Sequence, residues 1–347
     1  MIVILKQGHV DTDIDKILGI ANELGFKTHV SRGTERSLVG IIGDDSYVSK
    51  DVFASLDCVE EVIKVLKPYK LVTKYFHPEK TVIDFGNGIN IGEKFEIIAG
   101  PCAVESLSQI DEIGAFLKEK GMKFLRGGAF KPRTSPYSFQ GLGKEGLEYL
   151  KITAEKYDLK VVSEILVNED IAMFEEYVDI IQVGSRNAQN FKLLQSLGNT
   201  DKPVFLKRGY MNTVQEFLQS AEYIINSGNW NVMLCERGIR TFENSTRNTL
   251  DISAVPVIKG ISHLPLFVDP SHAAGKRELV PALSYAAVAA GADGIMVEIH
   301  PDPEKAVSDG RQSLTFDMFE NMVENIKMFE SARNSKPVGK EEYKSEV

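Results

Sequence analysis

The sequence predicts an α/β protein: a (β/α)8 TIM barrel preceded by a small βαββαβ ferredoxin-like domain. Three observations carry this. From Phe95 onward, eight short apolar runs alternate with segments whose apolar residues recur at helical spacing. Those runs end in charged or metal-ligating residues, which is where a parallel barrel gathers its site. Residues 1–70 instead interleave two helical patterns with four strand-like runs.

The chain has 347 residues, enough for two domains and a large core. At 43% hydrophobic and 26% charged it has the composition of a soluble globular protein. A net charge of −9 provides no global basic field, so neither nucleic acid nor an anionic membrane is an expected partner. Any cationic cluster must therefore be local. Met1 leads straight into IVIL and Lys6, without the charged lead and long apolar region of a signal peptide. The longest small-apolar run, around Ala282 to Ala290, is too short to span a bilayer. Three cysteines (Cys58, Cys102, Cys235) indicate reduced thiols, and the expected location is cytoplasmic.

In the first domain, IVIL is a strand and DTDIDKILGIANELG a helix, with Asp11 or Thr12 as cap and Gly25 as stop. KTHVSR and SLVGIIG are the next two strands. A second helix is expected from about Ser49 to Leu56, and EEVIKVLKP supplies the last strand. His29 and Ser31, two apart, share one face of their strand. Residues 71–92 form a linker in which Gly86, Asn87 and Gly88 sit between apolar alternations, the pattern of a β-hairpin. This stretch lacks the third glycine and following helix of a dinucleotide fingerprint, and no organic cofactor is expected.

The barrel is expected over residues 93–334. Its strands are FEIIAG, KFLRGG, KVVSEI, DIIQVG, PVFLKRG, NVMLCERG, PLFVDPSH and GIMVEIH. Polar residues 335–347 are expected to be a flexible tail.

In the stretch Lys123–Ser138, KFLRGGAFKPRTSPYS, the three cations Arg126, Lys131 and Arg133 and the two hydroxyls of Thr134 and Ser135 sit within ten residues, on a turn stiffened by Pro132 and Pro136. It asks for a phosphate or carboxylate ligand. Strand ends downstream add to it, so that Arg126, Lys131, Arg186, Lys207 and Arg237 form a cationic cluster. Crowding such charges out of bulk water costs several kcal/mol per ion unless anions pair with them. A substrate with phosphate and carboxylate groups fits. A second subset is Cys102, His272, Glu298 and an acid beyond the last strand, for which Asp309 is the best candidate. Thiolate, imidazole and carboxylates together describe one divalent transition metal, Mn, Fe, Co or Zn, since a magnesium site would not select cysteine. Cys235 reads as core within an apolar strand.

The segments AGPCAVES, FLRGGAFKPRTSPYSFQG, QVGSRNAQN, FLKRG, LCERGIRTF, VDPSHAAG and IMVEIHPDPEKAVSDG resemble 3-deoxy-D-arabino-heptulosonate-7-phosphate (DAHP) synthases. More narrowly, the chain resembles the subfamily with an N-terminal ferredoxin-like regulatory domain, over essentially its whole length. The resemblance implies metal-dependent condensation of phosphoenolpyruvate with erythrose 4-phosphate, releasing phosphate, at the first step of the shikimate route to aromatic amino acids. It implies that Cys102, His272, Glu298 and Asp309 hold the metal. It implies that Arg126, Lys131, Arg186, Lys207 and Arg237 hold phosphoenolpyruvate, and that Arg133 and Thr134 take the phosphate of erythrose 4-phosphate. Lys131, Cys102 and His272 are the implied catalytic residues, with Lys131 or a metal-bound water supplying the proton for the nascent alkoxide. The first domain resembles effector domains through which tyrosine or phenylalanine inhibits, with His29 and Ser31 as the pair to test. A homotetramer is also implied. A sister family, 3-deoxy-D-manno-octulosonate-8-phosphate synthase, uses arabinose 5-phosphate, but its loop reads Lys-Ala-Asn-Arg-Ser where this chain has Lys131 to Ser135 as KPRTS. A non-catalytic metabolite-sensing barrel predicts a missing ligand or cation, and none is missing.

Overall fold

The computed structural model describes residues 1–33, 36–43, 47–64, 68–133 and 135–335. Of the expected tail, 335–347, Ser335 ends the last helix, and residues 336–347, like Thr134, lie outside the described residues. The chain divides into two compact units, Met1–Lys80 and Thr81–Val347.

The first unit runs β1 (Ile2–Leu5), α1 (Asp11–Glu23), β2 (Lys27–Arg32), β3 (Ser37–Ile42), α2 (Asp51–Ala54) and β4 (Val59–Ile63). Its sheet has the order β2-β3-β1-β4 with every neighbouring pair antiparallel, the arrangement of a ferredoxin-like βαββαβ unit. Helix α1 buries Ile14, Ile17 and Ala21, three to four residues apart, against Val3, Leu5, Val39 and Ile41. Its cap is Val10, not Asp11 or Thr12. The Val10 N–H donates to Asp13 Oδ2 at 3.1 Å, so the carboxylate serves the helix start from inside the first turn. The second helix is one turn rather than the span from Ser49 to Leu56.

The second unit opens with a hairpin of β5 (Ile83–Asp84) and β6 (Asn90–Ile91), turning at Gly86, Asn87 and Gly88. Ile83, Ile89 and Ile91 share an apolar cluster with Phe124, Val162, Phe205, Phe267 and Met296 from barrel strands. The hairpin thus helps to fill the barrel core. Cys235 lies in the same cluster, fully buried. The barrel strands are β7 (Glu96–Gly100), β8 (Phe124–Arg126), β9 (Lys160–Ile165), β10 (Ile180–Val183), β11 (Val204–Lys207), β12 (Val232–Glu236), β13 (Leu266–Val268) and β14 (Gly294–Glu298). They close into a parallel barrel, β14 pairing with β7 in the register Glu298↔Gly100. Helices lie between successive strands, among them α3 (Leu107–Glu119), α4 (Lys144–Tyr157), α5 (Ile171–Tyr177), α6 (Phe191–Leu197), α7 (Val214–Asn226), α8 (Ala254–Ile261), α9 (Pro270–Ala274) and α10 (Val280–Ala290), and α11 (Phe316–Ser335) ends the described chain. Among the described residues, no helix is long and apolar enough to cross a membrane. Closure brings every strand's C-terminal end to one rim.

Candidate active site

Side chains at or beyond the ends of seven strands, β8 to β14, meet at that rim around a cavity of about 280 Å³. Lys131, Arg133, Glu164, Arg186, Lys207, Tyr210, Arg237, Arg247, His272 and Asp309 line it.

The cations come from different depths. Arg126 ends β8, is 4% exposed, and donates from Nη1 to Glu298 Oε1 at 3.0 Å and from Nη2 to the Cys102 carbonyl at 3.3 Å. Its Nε, buried, has no hydrogen-bond partner among the described residues. Lys131 donates to the Cys102 carbonyl at 2.9 Å and to its sulfur at 3.2 Å. A side chain at Gly128 would lie 2.7 Å from that carbonyl and 2.8 Å from Lys131 Cδ, so the glycine lets the lysine lie across the Cys102 backbone. Lys207 ends β11 and donates to Asp269. Arg237 is 2% exposed and, among the described residues, its hydrogen bonds go to the carbonyls of Gly238 and His272. Burial pushes its pKa below the usual guanidinium value, and an anion beside it would offset that cost. Arg186 is exposed and lies over the ring of Tyr210, 5.8 Å from its centroid. Arg237 and Arg240 approach the same ring at 4.8 and 4.7 Å.

The expected metal ligands also converge. One ligand atom each from Cys102, Glu298 and Asp309 lie within 4.8 Å of one another. His272 Nε2 is 3.3 Å from Glu298 Oε1. Its Nδ1 is bonded to Asp269 Oδ2 at 2.7 Å, which leaves Nε2 as the nitrogen to ligate. Burial lowers the His272 pKa, favouring the neutral ring that a metal requires. Burial and then Glu298 push the Cys102 thiol up to about 12. For Asp309, burial acts upward, but Arg247, His272 and Lys131 together outweigh it and hold the carboxyl down to about 2. Burial likewise raises Glu298, and His272 and Arg126 bring it below its ordinary value. One sulfur, one imidazole nitrogen and two carboxylates, two of the ligands fully or nearly fully buried, fit a divalent transition metal.

Arg133, from the same loop as Lys131, donates from Nη2 to Ser308 Oγ at 2.5 Å and from Nε to the Phe139 carbonyl at 3.1 Å. Ser308 in turn is 3.0 Å from Cys102 Sγ.

His29 and Ser31 belong to the first unit and lie on β2, both partly buried. His29 stacks on Phe76, ring centroids 5.1 Å apart. A Cβ at Gly40, its register partner, would fall 1.7 Å from the Phe76 ring, so that glycine makes room for the stack.

Two family models match the chain: the DAHP synthetase I family over residues 80–333 and the DAHP synthase ferredoxin-like domain over residues 1–67. The chain belongs to the DAHP synthetase I family. Phospho-2-dehydro-3-deoxyheptonate aldolase of Thermotoga maritima is 60% identical over 333 residues, 96% of this chain and 98% of that protein. A crystal structure of phospho-2-dehydro-3-deoxyheptonate aldolase (DAHP synthase) from that organism matches with a TM-score of 0.76 at 59% identity, over 96% of this chain and 97% of that one. A truncated form of 3-deoxy-D-arabino-heptulosonate 7-phosphate synthase from Thermotoga maritima matches with a TM-score of 0.72 at 56% identity, over 76% of this chain and 97% of that one. The 2-dehydro-3-deoxyphosphooctonate aldolase of Desulfosudis oleivorans is 30% identical over 257 residues, 68% of this chain and 91% of that protein.

As a DAHP synthetase I family member the chain is an enzyme, and its rim contains more than the sequence singles out. Tyr210, Arg247 and Asp269 all contact expected site residues. Arg247 Nη1 pairs with Asp309 Oδ2 at 3.2 Å and donates to Gln312 Oε1 at 2.9 Å, and Gln312 Nε2 donates to Glu298 Oε2 at 2.7 Å. Asp269 was visible as a strand end before Pro270. Arg247 carried no signal, because it stands in a polar loop well beyond its strand.

Proposed function

We propose that this chain condenses phosphoenolpyruvate with erythrose 4-phosphate to DAHP and inorganic phosphate, with one divalent metal held by Cys102, His272, Glu298 and Asp309. The observation that carries the reading is the contact between the two subsets. Lys131 bonds Cys102, Arg126 bonds Glu298, and Lys207 and His272 meet at Asp269. An anion held by the cations would thereby lie beside the residues that would hold the metal.

In this reading Arg126, Lys131, Arg186, Lys207 and Arg237 bind phosphoenolpyruvate and neutralise its phosphate and carboxylate. Arg133 and Thr134 take the phosphate of the aldose. The bound metal supplies Lewis-acid polarisation of the aldehyde. Carbon 3 of phosphoenolpyruvate then bonds to the aldehyde carbon while water adds at carbon 2. The tetrahedral intermediate expels phosphate by C–O cleavage and leaves the ketone. Lys131, on the Cys102 side of the cavity, donates the proton that the new hydroxyl needs. Holding two anions side by side contributes through proximity and charge neutralisation.

Two facts favour the four-carbon sugar over arabinose 5-phosphate. The loop from Lys131 reads KPRTS, and residues 1–67 match a DAHP synthase ferredoxin-like domain. The first unit is proposed as the effector domain, with tyrosine or phenylalanine bound near His29 and Ser31, on a cytoplasmic homotetramer.

The deciding experiment measures phosphoenolpyruvate consumption with each sugar, with and without chelator. Turnover of erythrose 4-phosphate alone, abolished by chelator and restored by manganese, supports both parts of the proposal. Preference for arabinose 5-phosphate overturns the substrate assignment, and turnover that survives rigorous metal removal overturns the metal assignment.

A further inference from the structure

One carboxylate oxygen joins the two halves of the rim. Asp269 Oδ2 accepts a hydrogen bond from Lys207 Nζ at 2.5 Å and is bonded to His272 Nδ1 at 2.7 Å. Asp269 is fully buried, just after β13. Its other oxygen accepts the backbone N–H of His272 at 2.9 Å, capping α9, so both carboxylate oxygens are engaged. Among the described residues, no other ion pair within 4 Å is shown for Lys207, which also lines the cavity. The far side of the His272 ring faces Glu298.

We propose that Asp269 is a positioning residue that makes metal binding at His272 and anion binding at Lys207 mutually dependent. The inference rests on the function proposed above. Its physical basis is the division of one oxygen's charge between two donors. An anion at Lys207 draws the ammonium toward itself. More of the carboxylate's charge then falls on the Nδ1–H, which makes Nε2 the stronger ligand. A cation at Nε2 polarises the ring, strengthens the Nδ1–H bond to Oδ2 and releases Lys207 toward an anion. Both effects have the same sign, and linkage requires them to be equal in size.

The test is metal affinity, not turnover. Manganese affinity is measured on the full chain by chelator competition, with and without phosphoenolpyruvate, for the wild type, Lys207→Met, Asp269→Asn and the double variant. The wild type is expected to bind manganese about fivefold or more tightly when phosphoenolpyruvate is present, the lower end of ordinary coupling. Lys207→Met is expected to tighten metal binding several-fold in the absence of phosphoenolpyruvate. In the Asp269→Asn background the same substitution is expected to change it less than about twofold, a non-additive cycle. Equal effects in both backgrounds mean that the lysine acts through space alone, and overturn the inference. If Asp269→Asn does not fold, Asp269→Ser takes its place in the cycle, and in either case a Lys207→Met metal affinity equal to the wild type overturns the inference. A wild type that binds both ligands while the variants behave additively removes only the coupling. A wild type that binds neither removes the proposed function and the coupling with it.

Discussion

Lys131 grips Cys102 twice, at the carbonyl by 2.9 Å and at the sulfur by 3.2 Å. A substrate cation and an expected metal ligand are thus one structural unit. Replacing Cys102 with Ser keeps the carbonyl contact and exchanges the soft thiolate for a poor hydroxyl ligand. The expected outcome is a metal content reduced by an order of magnitude or more, a matching loss of activity, and unchanged thermal unfolding of the metal-free protein. Metal analysis beside activity checks this, and unchanged metal content removes Cys102 from the ligand set.

Arg133 is tied to Ser308, and Ser308 touches the Cys102 sulfur. Replacing Arg133 with Ala should raise KM for erythrose 4-phosphate about tenfold or more, with a much smaller change for phosphoenolpyruvate, since a lost phosphate contact weakens binding of the ligand that made it. Equal changes in both KM values sink the assignment.

Glu96 opens β7 beside Lys94, Glu330 and Lys123, and burial pushes its carboxyl up to about 7. Its folded pKa lies above its unfolded one, so the folded chain holds the extra proton between pH 4.5 and 7. Stability should therefore fall as pH rises through that window and level off above it. Glu96→Gln should remove this component and leave the variant more stable than wild type at pH 8, by on the order of 1–2 kcal/mol. Denaturant midpoints at pH 5 and pH 8 test it. A wild type and variant with parallel pH profiles refute the assignment.

The unit from Thr81 onward contains a closed barrel and its own hairpin-filled core. A chain beginning at Thr81 should fold and retain turnover, while losing inhibition by tyrosine or phenylalanine. Initial rates with each amino acid, before and after truncation, check this. Inhibition that persists unchanged in the shortened chain places the effector site elsewhere.

The sequence by itself determined the elements and the chemistry of their ends. Apolar periodicity and glycine-proline punctuation act over a few residues, so the eight barrel strands, the GNG hairpin and the βαββαβ module are written locally. The residue types at strand ends identified a cationic subset and a thiolate–imidazole–carboxylate subset before any contact was known. The start of α1 was misplaced because a carboxylate inside the first turn does the work of a cap residue. Tertiary structure alone decided how the subsets interlock. Cys102 and Asp309 are 207 positions apart, and Lys207 and Asp269 are 62 apart, distances over which no local pattern operates. Barrel closure brings them within bonding range. It also recruits Arg247 and Tyr210, ordinary polar and aromatic loop residues until the folded chain sets one beside Asp309 and the other beneath three guanidinium groups.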